Sequence, residues 1–394
     1  MFIVMKITDD PLRNSRGIVL MSALTILSVL LAVGIGIRVM LKNDYQVVAN
    51  LRGGTEAFYY SAAGIEWSKN EIASTAAFPP VPANQMKSFA AGGFAVSFLH
   101  PVLVGPLTAR VAARSVGTIG PSSHVLEALL TKTYDLADGA LALRGAAARV
   151  NISGSGLFIS GTDHDPANGN PLTAAKSRNA ISVSDSTMND LVMGALGNPP
   201  PGGILDSAND VQAVALSDYL SSTAITQLVN DLCAAPNALV HSVPSEGTLD
   251  FENQVWGSQA TPQLHCIEGQ LTGGDGASFT GNNSGFGILV VKNADLILNG
   301  GFHWDGLVIV SGQEVGLKVF GSSSKEVMGA TLINETGAPG SGTAIFDIQG
   351  NLRLLFSRQA LRRASVLIPS VALSQAYTAL PSYVLQDYWR TVTP

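Results

Sequence analysis

The chain opens on a mixed polar stretch, Met1 to Gly17, and then runs without a charge from Ile18 to Ile37 as IVLMSALTILSVLLAVGIGI. At 1.5 Å per residue that run spans ~30 Å, the hydrocarbon thickness of a bilayer, whereas a buried core helix needs only about 10–14 apolar residues. Arg13 and Arg16 precede it; Arg38 and Lys42 follow. From Lys42 to Ile72 there is no proline and apolar residues keep recurring, so one helix is predicted from 18 to about Ser74. Gly53-Gly54 costs about 2 kcal/mol against two alanines and marks a kink. Phe58, Tyr59, Ile65 and Trp67 supply a face for packing on a folded body, and Pro79-Pro80-Val81-Pro82 ends the helix.

From Phe94 the period changes to two. Phe94–Phe98 and Leu107–Gly117 read as strands, Ser122–Ala137 as helix, and Val150–Gly161 as strand punctuated by glycine. Within 171–243, Leu191–Gly197 and Val211–Asn230 read as helices around a break at Pro199–Gly203, a helical insertion on a β framework. Between 285 and 357 short apolar runs recur, among them Gly287–Val291, Ala294–Leu298, Gly306–Val310 and Ala344–Ile348, separated by Gly, Asn, Ser or Asp. No long amphipathic helix intervenes, which excludes a doubly wound sheet and leaves a sandwich or a parallel β-helix. Small residues suit the tight corners of stacked coils, so the expectation is mainly β with α: an N-terminal transmembrane helix and a β-rich exported domain built as a right-handed parallel β-helix with a helical insertion. The expected division is a leader (1–17), a transmembrane and extended helix (18–74), a first β-rich part (75–170), the insertion (171–243), the solenoid core (244–357) and a C-terminal cap or tail (358–394).

Composition narrows the function. Charged residues are 13% of the 394 and the net charge is −6, with no Lys/Arg cluster to track a phosphate backbone, so no nucleic acid is expected as partner. The two cysteines, Cys233 and Cys266, leave two readings open: one disulfide closing a loop of about 30 residues and worth ~3 kcal/mol, or two buried thiols. Asp163, Asp165, Asn168 and Asn170 form the one oxygen-rich loop, a weak calcium candidate without the glutamate or flanking helices of an EF-hand. Asp295, Asp305, Glu314 and Asp347 are the carboxylates a polysaccharide-cleaving β-helix would use, but glycoside chemistry needs two of them to converge within about 5–10 Å. No nucleophile elbow, P-loop, zinc or dithiol motif is present, and no cofactor or resident metal is expected.

Arg16-Gly17 sits directly before the apolar run, and Asn50-Leu51-Arg52 and Ser61-Ala62-Ala63-Gly64-Ile65 lie along the helix. In this order and spacing the first 70 or so residues resemble a class III, type IV prepilin signal and, more narrowly, the PilX N-terminal family of minor-pilin-like proteins. The resemblance implies cleavage by a prepilin peptidase between Gly17 and Ile18, with methylation of the new N-terminus and retention of the apolar helix. It also implies a single-pass inner-membrane protein with its C-terminal domain exported to the periplasm, cell surface or pilus, among other pilin-like subunits. Major pilins carry Glu at the fifth mature position. Here that position is Ser22, an absence shared with the tip pseudopilin of type II secretion and pointing to a minor or tip role. The segment 287–312 is likewise similar to one recurring in long PilX-like exported proteins.

The function expected is therefore a structural or interaction role in a type IV pilus or pseudopilus, not an enzyme. The alternatives are an adhesin or ligand-binding β-helix that uses the prepilin route to meet a surface glycan, host or solid surface, and a polysaccharide-active enzyme.

Overall fold

The computed structural model describes residues 11–74, 84–105, 107–145, 149–154, 156–172, 177–197, 205–206, 214–217, 219–244, 247–270, 276–337, 344–369 and 382–392. The protein is mainly β, with a long apolar helix at its N-terminus.

That helix, α1 (Pro11–Ser74), has 64 residues, about 96 Å at 1.5 Å per residue. Every residue from Ile18 to Arg52 is exposed. The polar side chains within the apolar run need no partner outside the helix. Ser22, Thr25 and Ser28 donate back to the carbonyls of Ile18, Met21 and Leu24 at 2.7–2.8 Å. Beyond Glu56 the pattern changes: Ala57, Ser61, Gly64, Ile65, Ser68 and Ile72 are buried, a stripe at helical spacing.

The stripe rests on an antiparallel sheet. Its first strands are β1 (Gln85–Ser88), β2 (Gly93–Gly105), β3 (Thr108–Ile119) and β4 (Ser122–Tyr134), and the segment Ser382–Val392 from the far end of the chain completes the order against β4. Ser122–Tyr134 was expected as helix. Its apolar positions fit either period, but the turn at Gly120-Pro121 folds it back on β3 in unbroken register from Thr108↔Thr133 to Ile119↔Ser122, and pairing on both edges outweighs the helix propensity of Leu and Ala.

After β4 the chain enters a second body. Its first passage comprises β5 (Gly139–Gly145), β6 (Arg149–Ile152), β7 (Leu157–Ser160), β8 (Asn179–Val183), α2 (Ser186–Leu196), β9 (Leu205–Asp206), β10 (Val214–Leu216) and α3 (Ser222–Cys233). The second holds β11 (Ala238–Ser242), β12 (Thr248–Glu252), β13 (Val255–Trp256), β14 (Gln263–Glu268), β15 (Gly276–Thr280), β16 (Asn282–Lys292), β17 (Asp295–Leu298), β18 (Gly301–Gly312), β19 (Leu317–Val319), β20 (Lys325–Glu335), β21 (Ala344–Ile348) and β22 (Leu352–Phe356). Then come α4 (Arg358–Ser365) and β23 (Ser382–Val392), the strand already met in the antiparallel sheet.

From β14 to β21 the chain alternates between two parallel sheets. β14, β16, β18 and β20 pair in one, β15, β17, β19 and β21 in the other. Leu307, Val308, Ile309 and Val310 of β18 are all fully buried, because the other sheet covers one face and α3 and α4 the other. This is why the segment reads as a continuous apolar run rather than an alternating one. β16, β18 and β20 each bend at a glycine in one column, Gly287↔Gly306↔Gly329, with φ between +125° and +144°. A Cβ on Gly306 would lie 1.9 Å from the Gly287 carbonyl oxygen.

The stacking order in the larger sheet is β10-β8-β5-β20-β18-β16-β14-β11, which is not chain order. The first half of β20 pairs with β22 and its second half with β5. One layer is therefore assembled from two remote pieces, residues 352–356 and 141–145. The segment 171–243 differs from the expected insertion: it contains α2 and α3, but β8 and β10 are threaded into the larger sheet beside β5. Val211–Asn230, expected as one helix, holds β10 and then α3, which starts only at Ser222. The expected division at 170/171 likewise falls within one sheet, and the change of body comes at Tyr134–Gly139. Residues 358–394 differ from a simple cap or tail, since β23 returns to the antiparallel sheet.

Candidate functional site

The helix–sheet joint is built from small residues. Gly64 and Gly117 bring α1 against β3: a Cβ on Gly64 would lie 2.1 Å from Ser115 Oγ, and one on Gly117 would lie 2.1 Å from the Ala57 carbonyl oxygen. The Ala-Gly element singled out in the sequence thus has a local cause, the close approach of the Ser115 side chain to the helix at Gly64. Around it Trp67 packs near Phe94 and Phe98, and Phe58 near His124 and Trp389. Tyr59, expected on the same face, is exposed instead. Lys132 of β4 reaches up to the end of the helix and donates from Nζ to the carbonyls of Ile72 (2.9 Å) and Ala73 (3.3 Å). It satisfies terminal carbonyls that have no intrahelical partner and places a cation at the negative end of the helix. Burial lowers its pKa to about 8.

Ile18 lies in the exposed part of α1. Gly17 lies within α1, and residues 1–10 of the expected leader are outside the described residues. Asn50-Leu51-Arg52 is exposed, and Arg52 pairs with Glu56 one turn on at 2.8 Å.

Cys233, the last residue of α3, and Cys266 of β14 form a disulfide with Cα atoms 5.4 Å apart. Glu268 lies beside them. Asp163 accepts from Arg358 N (2.9 Å) and Nη1 (3.2 Å), Asp165 accepts from Ala167 N, and Asn168 accepts from Asn170 N. The loop's oxygens serve its own turns and a buried arginine. The four candidate carboxylates stand on different elements: Asp295 on β17, Asp305 on β18, Glu314 in the turn after it and Asp347 on β21. Asp295 pairs with Lys318 and accepts from Gly316 N, Asp305 faces His303 Nε2 at 3.0 Å, and Asp347 accepts from Asn151 at 2.7 Å. Glu314 stands at a turn with φ 57°, where its N–H donates to Glu335.

Three clusters escaped the sequence reading because at least one member of each is remote in the chain from the others. His303 lies between Asp305 (3.0 Å) and Glu326 (3.4 Å), which raise its pKa to about 9. His265 stacks on Trp256 with ring centroids 4.2 Å apart and bonds His241 at 3.1 Å; burial, then His241, lowers its pKa to about 4. Asp135 gathers Arg178 (2.6 Å) and Arg358 (3.2 Å). Each is held by strand register or by a long-range turn, neither of which leaves a motif.

No protein-family model matches the chain, and no curated protein matches its sequence. Among solved structures, the crystal structure of the competence-associated pilin ComZ from Thermus thermophilus aligns over 86% of this chain and 98% of its own, at 11% identity and a TM-score of 0.20. At that score the two backbones do not superpose as wholes.

Proposed function

We propose that this protein is a minor-pilin-like subunit, anchored in the inner membrane through α1 and carrying an exported β-rich body into a type IV pilus or pseudopilus. The observation that carries the reading is the division of α1 into two halves. One half is exposed, apolar and long enough to cross a membrane; the other is seated by a stripe of small residues on an antiparallel sheet that the last strand of the chain closes. Such a helix commits its lower half to lipid or to other helices and its upper half to its own head.

In this reading a prepilin peptidase cuts between Gly17 and Ile18, and the partners are other pilin-like subunits packed along Ile18–Leu51. Ser22 then occupies the fifth mature position. Its hydroxyl is turned to the Ile18 carbonyl and carries no charge to pair with a neighbour's terminal amine. That favours a minor or tip position over the bulk of a fibre, since a buried amine without a counter-charge is costly. The second body is, on the same reading, a right-handed parallel β-helix inserted into the head between β4 and β23. The alternation of strands between two parallel sheets supports the coil, and the handedness of parallel crossovers supports its hand. The role is structural or interactive, without catalysis.

N-terminal sequencing of the native protein, with and without the peptidase, tests the assignment. The mature chain is expected to begin at Ile18, and Gly17→Leu is expected to leave the longer form. A native N-terminus downstream of Leu41, or a mass indifferent to the peptidase, would sink it.

A further inference from the structure

One end of the parallel body is a single layer of chain. Among the described residues β11 is last in the larger sheet and pairs with β14 alone. β12 is last in the smaller sheet and pairs with β15 alone, and the short β13 pairs with β16. Residues 238–256 thus rest on one neighbouring layer, where β18 has one on each side. The Cys233–Cys266 disulfide brackets this end layer. Its cysteines are 33 positions apart, and the loop they close holds β11, β12, β13 and the start of β14. The layer can lift away while its two roots, α3 and β14, stay joined.

The interior of this layer holds two imidazoles. His241 of β11 and His265 of β14 lie nearly parallel with ring centroids 5.4 Å apart, and His241 Nε2 is 3.1 Å from His265 Nδ1. Trp256 stacks on His265 at 4.2 Å, Phe251 meets His241 edge-on at 5.5 Å, and Trp304 meets His265 edge-on at 6.4 Å. Gln263 Oε1, which can only accept, lies 3.1 Å from His265 Nε2. His265 therefore donates from Nε2 and accepts at Nδ1 from the N–H of His241, an arrangement that needs a neutral His265. No counter-charge stands by. Asp250 and Glu252 of β12 are exposed, and Glu268 of β14 pairs with Lys292 of β16. Asp231 of α3 accepts from Gln227, and Asp305 of β18 faces His303. Burial lowers the pKa of both rings; for His265 burial, then His241, brings it to about 4.

We propose that His241 and His265 form an acid-operated latch: closed at neutral pH, it releases residues 238–256 from β14, β15 and β16 when His265 takes up a proton, while the rest of the parallel body stays folded. A proton on His265 Nδ1 sets N–H against N–H across the 3.1 Å contact, cancels that bond and leaves a cation without a partner in an aromatic interior. Opening gives both rings to water, where imidazole titrates near its ordinary value of about 6.5. The layers beyond are held by side chains such as Leu307, Val308, Ile309 and Val310, which do not titrate. Release uncovers Phe279 and Trp304, both buried in the closed layer, so an aromatic surface is presented only in acid. None of this depends on how the protein is anchored.

Amide hydrogen exchange of the full-length protein in detergent, read by mass spectrometry and corrected for the intrinsic effect of pH, tests the latch. Between pH 7.5 and 4.5 the protection of residues 238–256 is expected to fall on the order of fiftyfold, from values of about 4 closed and about 6.5 open, while Gly301–Gly312 and Lys325–Glu335 keep theirs. His265→Phe keeps an aromatic ring on Trp256, and there the fall is expected to shrink to a fewfold. His303→Gln, at a half-exposed ring outside the layer, is expected to show the whole fall. Protection that does not change with pH, a loss shared equally by β18 and β20, or a whole fall in His265→Phe would each overturn the proposal. If His265→Phe does not fold, the first two comparisons, made on the unaltered protein, still decide.

Discussion

Arg358 donates from Nε to Asp135 Oδ2 across 3.2 Å, joining residues 223 positions apart in the chain. Asp135 lies where the chain leaves the antiparallel sheet, and Arg358 lies where it leaves the parallel one. Because β22 and β5 complete one layer between them, this pair closes the seam at which the two ends of the inserted body meet. Asp163 on the other side of Arg358 and Arg178 on the other side of Asp135 extend the network. All but Arg178 are buried.

Removing one member leaves the others charged, buried and uncompensated. Arg358→Met is therefore expected to destabilise the protein by about 3–5 kcal/mol, read from urea denaturation. Arg178→Met is expected to cost less, because that side chain is the most solvated of the four. Equal losses would mean the seam is not where the stability lies.

The glycine column makes a second demand. Gly306 has φ +138°, and its Cβ position is occupied by the carbonyl of Gly287. Gly306→Ala is expected to cost more than about 2 kcal/mol, combining backbone strain with a clash that the stacked layer cannot relax. Gly54→Ala, whose Cβ meets nothing within 4 Å and which lies in helix, is expected to leave the thermal midpoint level or raise it.

His265 predicts acid sensitivity. Its pKa falls from 6.5 to about 4 on folding, so the unfolded chain takes up a proton first as the pH drops. The neutral ring's contribution is intact above about pH 6.5 and is lost progressively toward pH 4, amounting to about 3 kcal/mol at the low end. His265→Phe keeps the stack on Trp256 and is expected to flatten the dependence of unfolding free energy on pH in this window. An unchanged slope would remove His265 as the cause.

His303 predicts the opposite sign on the alkaline side. Asp305 and Glu326 raise its pKa to about 9, so the folded state holds a proton that the unfolded chain releases from about pH 6.5 upward. The stabilisation is present below that value and lost as the pH rises through 9. The ring is 40% exposed, so solvent screening limits the effect to about 1 kcal/mol. In Asp305→Asn the stability difference between neutral and alkaline buffer is expected to shrink; a full-sized difference would exclude the pair.

Much of the long-range plan was legible where one element obeys one local rule. The uncharged run at Ile18–Ile37 and the proline-free continuation predict α1 to its end at Ser74, because helix hydrogen bonds are local and twenty uncharged, mostly apolar residues leave few other destinations. The glycine-punctuated runs after Gly287 predict parallel layers, because strands buried on both faces must be apolar throughout. Ser122–Tyr134 was misread because its pattern suits both periods, and only the partners on either side select the strand. The seam lay beyond any local reading: nothing near Asp135 announces Arg358, and nothing in β5 announces that it completes the layer begun by β22. By itself, then, the sequence determined the long N-terminal helix, the buried strands after Gly287 and which surface is left apolar, since these depend on neighbours a few residues away. Only the tertiary structure decided the order of stacking, the return of β23 to the first sheet and the ion-pair network at the seam. Those depend on which remote edges pair, and parallel pairing is carried by backbone groups that every residue shares.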